Sequence, residues 1–165
     1  MYKTGDLLLV KNYSFIGNMI RKILDSEYNH VGLFVTDDEV IEATFKGVYK
    51  TDISKFEELR DKNKLEFNIY RFREITETQL ILMIDYALGN VGMKYDFWQL
   101  ITLYLFFLLH INRKIEPIDV CNAWICSELI GESAEHAGIR FQGNVDSDNI
   151  TPKDIYTSLK VELIK

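Results

Sequence analysis

The chain is 165 residues long, with 19 Lys and Arg against 25 Asp and Glu, a formal net charge of −6. At 47% hydrophobic and 13% aromatic it can bury a full core, which excludes an intrinsically disordered chain and points to one domain over residues 1–165. The acidic balance, with no stretch that interleaves basic and aromatic residues, argues against a nucleic-acid partner, which calls for a basic face.

The first six residues lack a basic leader followed by an apolar run, so no signal peptide is expected. Residues 6–10 (DLLLV) read as a strand after Gly5, and residues 15–24 as a short helix with Ile16, Met19, Ile20 and Ile23 on one stripe. Residues 30–35 are rich in strand formers, Asp37-Asp38 marks a turn, and residues 40–44 return as the hairpin partner. Residues 66–72 form a further strand, with Phe67, Ile69 and Arg71 in one period.

Thr76 opens the clearest helix, because Thr76 and Gln79 fit a capping box in which each side chain satisfies the other's backbone N–H. Leu80, Met83, Ile84, Ala87 and Leu88 then recur at helical spacing, and Gly89 and Gly92 supply stops. The run 97–111 carries no charge. It falls short of the roughly 20 apolar residues that span a bilayer, so it reads either as a buried helix or as an apolar helix facing a membrane or a substrate. Residues 123–138 read as a helix closed by Gly138, and Thr151-Pro152 as a second helix start with Thr as N-cap. Strands come first and helices later, without repeats or linkers. The expected class is α+β.

Three residues can form a nucleophilic site. Cys126 falls in the first turns of the 123–138 helix, where orphan N–H groups favour thiolate over thiol. His30 opens a strand and can deliver or remove a proton, and Glu42 on the next strand can fix its tautomer. Taken singly, each has an ordinary structural reading: an inert core thiol, a satisfied histidine, the solvent face of a strand. Register ties two of them together. In an antiparallel hairpin, His30 and Glu42 share a face only if paired residue numbers sum to an even constant. A two-residue turn at Asp37-Asp38 makes that sum odd, so a three-residue loop or a bulge is expected.

Neither a metal nor an organic cofactor is expected. The histidines are only His30, His110 and His136, and the cysteines, Cys121 and Cys126, lack the second pair of a structural zinc site. Two cysteines are too few for a disulfide framework, which suits a reducing, cytoplasmic setting. Phosphate-loop, dinucleotide and G-x-S-x-G signatures are missing from the sequence.

Six short motifs occur in order: Gly5-Asp6-Leu7-Leu8, the stretch from Tyr28 to Val35 containing His30-Val31-Gly32, Val40-Ile41-Glu42-Ala43, Gly92-Met93-Lys94-Tyr95-Asp96, Cys126-Ser127-Glu128-Leu129-Ile130 and Thr151-Pro152-Lys153-Asp154. Together, from Gly5 to Ser158, the chain resembles the circularly permuted NlpC/P60 group of papain-like cysteine hydrolases, the YiiX/YebB-like branch related to lecithin:retinol acyltransferase. The resemblance implies a papain-like antiparallel sheet or half-barrel packed against helices. It implies Cys126 as nucleophile, His30 as general base and acid, Glu42 as the residue orienting His30, and Tyr28 beside the oxyanion. Permutation accounts for the order, with the histidine before the cysteine. The implied substrate bears an amide or ester, cleaved through an acyl-enzyme in the manner of an amidase or peptidase. The apolar run 97–111 motivates an alternative, a lipid-directed acyl hydrolase or acyltransferase with peripheral membrane contact. A non-catalytic binding module on the same fold is the third reading.

Overall fold

The computed structural model describes residues 1–95, 123–124, 126–141 and 150–164. Its central feature is a six-stranded antiparallel sheet in the order β4-β3-β2-β1-β5-β8. The strands are β1 (Leu7–Asn12), β2 (His30–Phe34), β3 (Glu39–Thr44), β4 (Gly47–Asp52), β5 (Leu65–Phe72) and β8 (Val161–Leu163). Two further short strands, β6 (Lys94–Tyr95) and β7 (Ala123–Trp124), pair with each other in parallel. The helices are α1 (Phe15–Ile23), α2 (Ile53–Asp61), α3 (Glu77–Gly89), α4 (Cys126–His136) and α5 (Pro152–Tyr156).

Both faces of the sheet are covered. On the first face Leu7, Leu9, Val31, Leu33, Ile41 and Ala43 pack against Met83 and Ala87 of α3 and Leu129, Ile130 and Ala134 of α4. On the second, Leu8, Val10, Phe34, Val40 and Ile69 pack against Ile53 and Phe56 of α2. A strand buried on both sides cannot alternate apolar with polar, which is why the buried stretches 7–10 of β1 and 31–34 of β2 carry no polar side chain. Full burial of a leucine contributes about 1.5–3 kcal/mol, so Leu7, Leu8 and Leu9, all fully buried, supply much of the centre's cohesion.

The helix ends follow the chemistry of orphan backbone groups. Thr76 accepts from Gln79 N–H while the Gln79 side chain accepts from Thr76 N–H, a complete capping box, and Thr151 and Asp154 repeat it around Pro152. One expected boundary needs correction, and several elements were not expected. The 123–138 helix begins at Cys126, because Ala123 and Trp124 are extended against Lys94 and Tyr95. The helices α1 and α3 form where their stripes predict, with Met83 and Ala87 buried, Leu88 40% exposed and Ile16 51% exposed. The strand β4 and helix α2 stand where no element was expected, and so does β8. The run 97–111 lies outside the described residues, among which no helix is long and apolar enough to cross a membrane.

One ion pair fixes the edge of β1 to β5. Asp6 is buried, and its carboxylate accepts two bonds from Arg71, from Nε at 2.7 Å and a terminal nitrogen at 2.8 Å, plus the Lys3 N–H at 2.9 Å. The pair continues the register Leu7↔Tyr70 by one step. Arg71→Met leaves the carboxylate buried and unpaired, and urea unfolding should show a loss of about 3 kcal/mol, the low end for a broken buried pair because the arginine is partly exposed. The double variant Asp6→Leu/Arg71→Met should recover most of that loss.

Candidate active site

His30 opens β2 opposite Val10 of β1, and the residue before it is clamped to the same strand. The Asn29 N–H donates to the Val10 carbonyl at 3.0 Å, while the Asn29 side chain accepts from Asn12 N–H at 3.0 Å and donates to the Asn12 carbonyl at 2.9 Å. This clamp ties the entry of β2 to the end of β1. Helix α1 sits tightly against it: a Cβ on Gly17 would fall 2.6 Å from the Asn12 carbonyl oxygen and 2.7 Å from Asn29 Nδ2.

The β2–β3 register pairs Gly32 with Glu42, Leu33 with Ile41 and Phe34 with Val40, so paired numbers sum to an even constant. The connection is the expected three-residue loop, closed by Val35 N–H donating to the Glu39 carbonyl at 2.9 Å. Inside it, the Thr36 hydroxyl accepts from Glu39 N–H at 2.9 Å. His30 and Glu42 therefore share the second sheet face. Gly32 stands on that face opposite Glu42, and any side chain there would meet Val40 Cγ1 at 2.5 Å. His30 Nε2 lies 2.7 Å from Glu42 Oε2, and Glu42 Oε1 accepts from the Thr51 hydroxyl at 2.5 Å. Thr51 comes from β4, opposite Val40. Sequence reasoning missed it, although the alternation of Tyr49 and Thr51 beside Glu42 was the available signal.

Cys126 is the first residue of α4 and is 6% exposed. Its helix lies on the first sheet face, yet the thiol reaches the imidazole of His30 where β2 begins, and the two side chains are hydrogen-bonded. With Nε2 committed to Glu42, Nδ1 is the nitrogen left for sulfur. Backbone N–H groups of Val31 and Ser127 also point at Sγ. Thus Cys126, His30 and Glu42 come together as one hydrogen-bonded row. Tyr28, two residues before His30, is buried in a different setting. Its hydroxyl accepts from Asn68 at 2.7 Å, lies 3.5 Å from the Tyr70 hydroxyl, and its ring packs edge-on against Tyr156.

The charges follow from this geometry. Burial disfavours ionised sulfur, but the charge and hydrogen bond of His30, with the two amides, hold the Cys126 thiol below the usual range. Burial likewise disfavours an imidazolium, yet the thiolate and the Glu42 carboxylate outweigh it and His30 is pushed up to about 10. For Glu42, burial works against the charge, and the His30 and Thr51 hydrogen bonds, with the more distant Lys55, keep the carboxyl below its ordinary value. Each shift favours the charged form of its group, so the sulfur is drawn toward thiolate and the ring toward imidazolium.

The row opens into a cleft of about 500 Å³. Val10, Ile16, Ile20, Phe45, Phe56 and Leu65 give it apolar walls, and Lys55 stands on its lining from α2. Among the described residues no group of three or more His, Cys, Asp or Glu side chains is arranged to hold a metal ion.

A family model for permuted papain-like amidase enzymes, the YaeF/YiiX, C92 family, matches residues 1–102. That stretch contains His30 and Glu42 and ends before Cys126. The fold is similar to the crystal structure of the metalloprotein yiiX from Escherichia coli O157:H7, with 16% identity and a TM-score of 0.72, over 99% of this chain and 97% of that one. This bears out the α+β, papain-like permuted architecture. No curated protein matches the chain.

The lowered thiol pKa has a direct chemical readout. Alkylation of Cys126 by iodoacetamide, followed by mass spectrometry across pH, should already be fast at neutral pH, with a midpoint well below that of an ordinary thiol. In His30→Ala the midpoint should rise to the range of an ordinary thiol or above it, since burial then acts unopposed.

Proposed function

This chain belongs to the permuted papain-like amidase family, YaeF/YiiX, C92, and from that premise we propose that it cleaves an amide through Cys126, His30 and Glu42. The observation that supports this reading is the hydrogen-bonded row of thiol, imidazole and carboxylate at one end of a cleft.

In the proposed cycle the Cys126 thiolate attacks the carbonyl carbon, forming a C–S bond and moving the π electrons to oxygen. The oxyanion is received by the Cys126 backbone N–H at the helix start, where no intrahelical acceptor competes for it. Tyr28 is assigned as a second donor: its hydroxyl accepts from Asn68, and its hydrogen can turn from the Tyr70 hydroxyl, 3.5 Å away, to the oxyanion. Collapse of the intermediate breaks the C–N bond as the His30 imidazolium passes its proton to the departing nitrogen. The amine leaves and a thioester remains. Neutral His30 then takes a proton from water as the hydroxyl oxygen attacks the thioester. Breaking the C–S bond releases the acid and regenerates the thiolate–imidazolium pair. Glu42 holds the imidazole in plane throughout, and Thr51 holds Glu42.

A second reading has its own observation. The apolar walls contributed by Ile16, Ile20, Phe45 and Phe56 suit an acyl chain, so an ester or lipid amide is the alternative substrate. Transfer to an acceptor other than water differs only in the second nucleophile.

Activity-based profiling with amide, ester and lipid probes tests both readings. Wild type should label at Cys126, and Cys126→Ala should lose labelling with every probe; labelling that survives moves the nucleophile elsewhere. Glu42→Gln should lower kcat/KM by about 100-fold. It should also shift the alkaline limb of the pH profile downward, because removing the carboxylate removes one of the charges that raise the His30 pKa. Tyr28→Phe should reduce kcat about tenfold with little change in KM, the signature of an interaction made in the transition state.

A further inference from the structure

The cleft beside Cys126 has walls that are either apolar or already satisfied. The Asn29 side chain is bonded to the Asn12 N–H and carbonyl, the Asn12 side-chain oxygen accepts from Ser14 N–H, and the Ser14 hydroxyl accepts from Gly17 N–H. Thr44 donates to the Tyr49 hydroxyl, and Thr51 to Glu42. Lys55 differs from all of these. It lines the same cleft from α2 with its side chain exposed, and makes no hydrogen bond or ion pair among the described residues. Its charge acts on Glu42 and on Asp52, whose carboxylates are occupied by other donors: Glu42 by His30 and Thr51, and Asp52 by the Ser54 N–H at 2.8 Å.

An ammonium without a hydrogen-bond partner, on the wall of a cleft whose other polar groups are already bonded and whose remaining lining is apolar, is the complement of a molecule that is apolar along most of its length and anionic at one point. We propose that the substrate is an anionic amphiphile, an apolar amide carrying a carboxylate or phosphate, and that Lys55 selects it by pairing with the anion. This rests on the cysteine hydrolase reading for the bond that is cleaved, but not for the binding. Lys55 is a specificity residue that touches substrate away from the reacting atoms. As a compact, flexible point charge it attracts either anion without demanding bidentate geometry.

Binding separates the two claims. In the Cys126→Ala protein, isothermal titration is run with three probes: N-decanoylglycine, N-decanoyl-O-phosphoethanolamine and the neutral N-decanoylglycinamide. At least one anion should bind about tenfold more tightly than the neutral amide, the size expected of one charge-assisted bond at an exposed rim. The margin should shrink as salt is raised. Lys55→Gln should abolish the margin while leaving the Kd of the neutral amide unchanged, and Lys55→Glu should reverse it. Whichever anion binds tighter distinguishes a phosphate from a carboxylate source. Equal affinity for all three probes, no binding of any of them, or a margin that survives Lys55→Gln would each overturn the proposal. An equal loss for charged and neutral probes in Lys55→Gln would do the same, since it would mean that the lysine acts through Glu42 or through the fold. Failure of the hydrolase reading shows separately, as absence of a Cys126-linked acyl-enzyme in the wild-type protein.

Discussion

The site depends on the register between β2 and β3. A one-residue slip in that hairpin would send Glu42 to the opposite face of the sheet from His30, leaving a carboxylate in the apolar layer beneath α3 and α4. The three-residue loop, with its Thr36 hydroxyl bonds, fixes the register at one end, and Gly32 lets Val40 pack against β2 beside Glu42. Burial of both strands on both faces makes any slip costly. The stability of the sheet and the chemistry of the site are therefore specified by the same residues.

The thiol reaches the imidazole from the other side of that sheet. Helix α4 is anchored by Leu129, Ile130 and Ala134 on the first face, while His30 and Glu42 point to the second. The contact is made where β2 begins, and the Val31 amide donates to sulfur there. The extended pair of β6 and β7 ensures that the helix starts at the cysteine itself. Its orphan N–H groups are then available to an anion at the first residue, where both a thiolate and an oxyanion benefit. A helix begun at Ala123 would have spent those amides on its own turns.

Much of this arrangement was legible in the sequence, and the exceptions have physical causes. The apolar runs of β1 and β2, the capping box at Thr76 and the N-cap at Thr151 rest on local rules that tertiary structure reinforced. Parity runs from the site to the loop: for His30 and Glu42 to share a face, the connection at Asp37-Asp38 has to exceed two residues, and it does. By contrast, β4 buries Val48 and Thr51 but leaves Lys50 and Asp52 exposed, and α2 buries only Ile53 and Phe56, so neither carries a strong periodic signal. The start of α4 was misplaced because Ala123-Trp124 reads as helix locally and is drawn into extension by partners some thirty residues away. The Val31 amide has no side-chain signature at all. Ile16 fits the stripe of α1 but lines the cleft, since periodicity tells which residues share a face and not what that face meets.

The charge state of one ring tests the account most directly. Nitrogen-15 NMR of the His30 imidazole should show both ring nitrogens protonated at neutral pH, with a titration midpoint at about 10 in place of the ordinary 6.5. In Cys126→Ala the midpoint should fall sharply, because the thiolate that supports the positive ring is gone. A His30 ring that is neutral at pH 8 and titrates alike with and without the sulfur would contradict the pairing on which the mechanism stands.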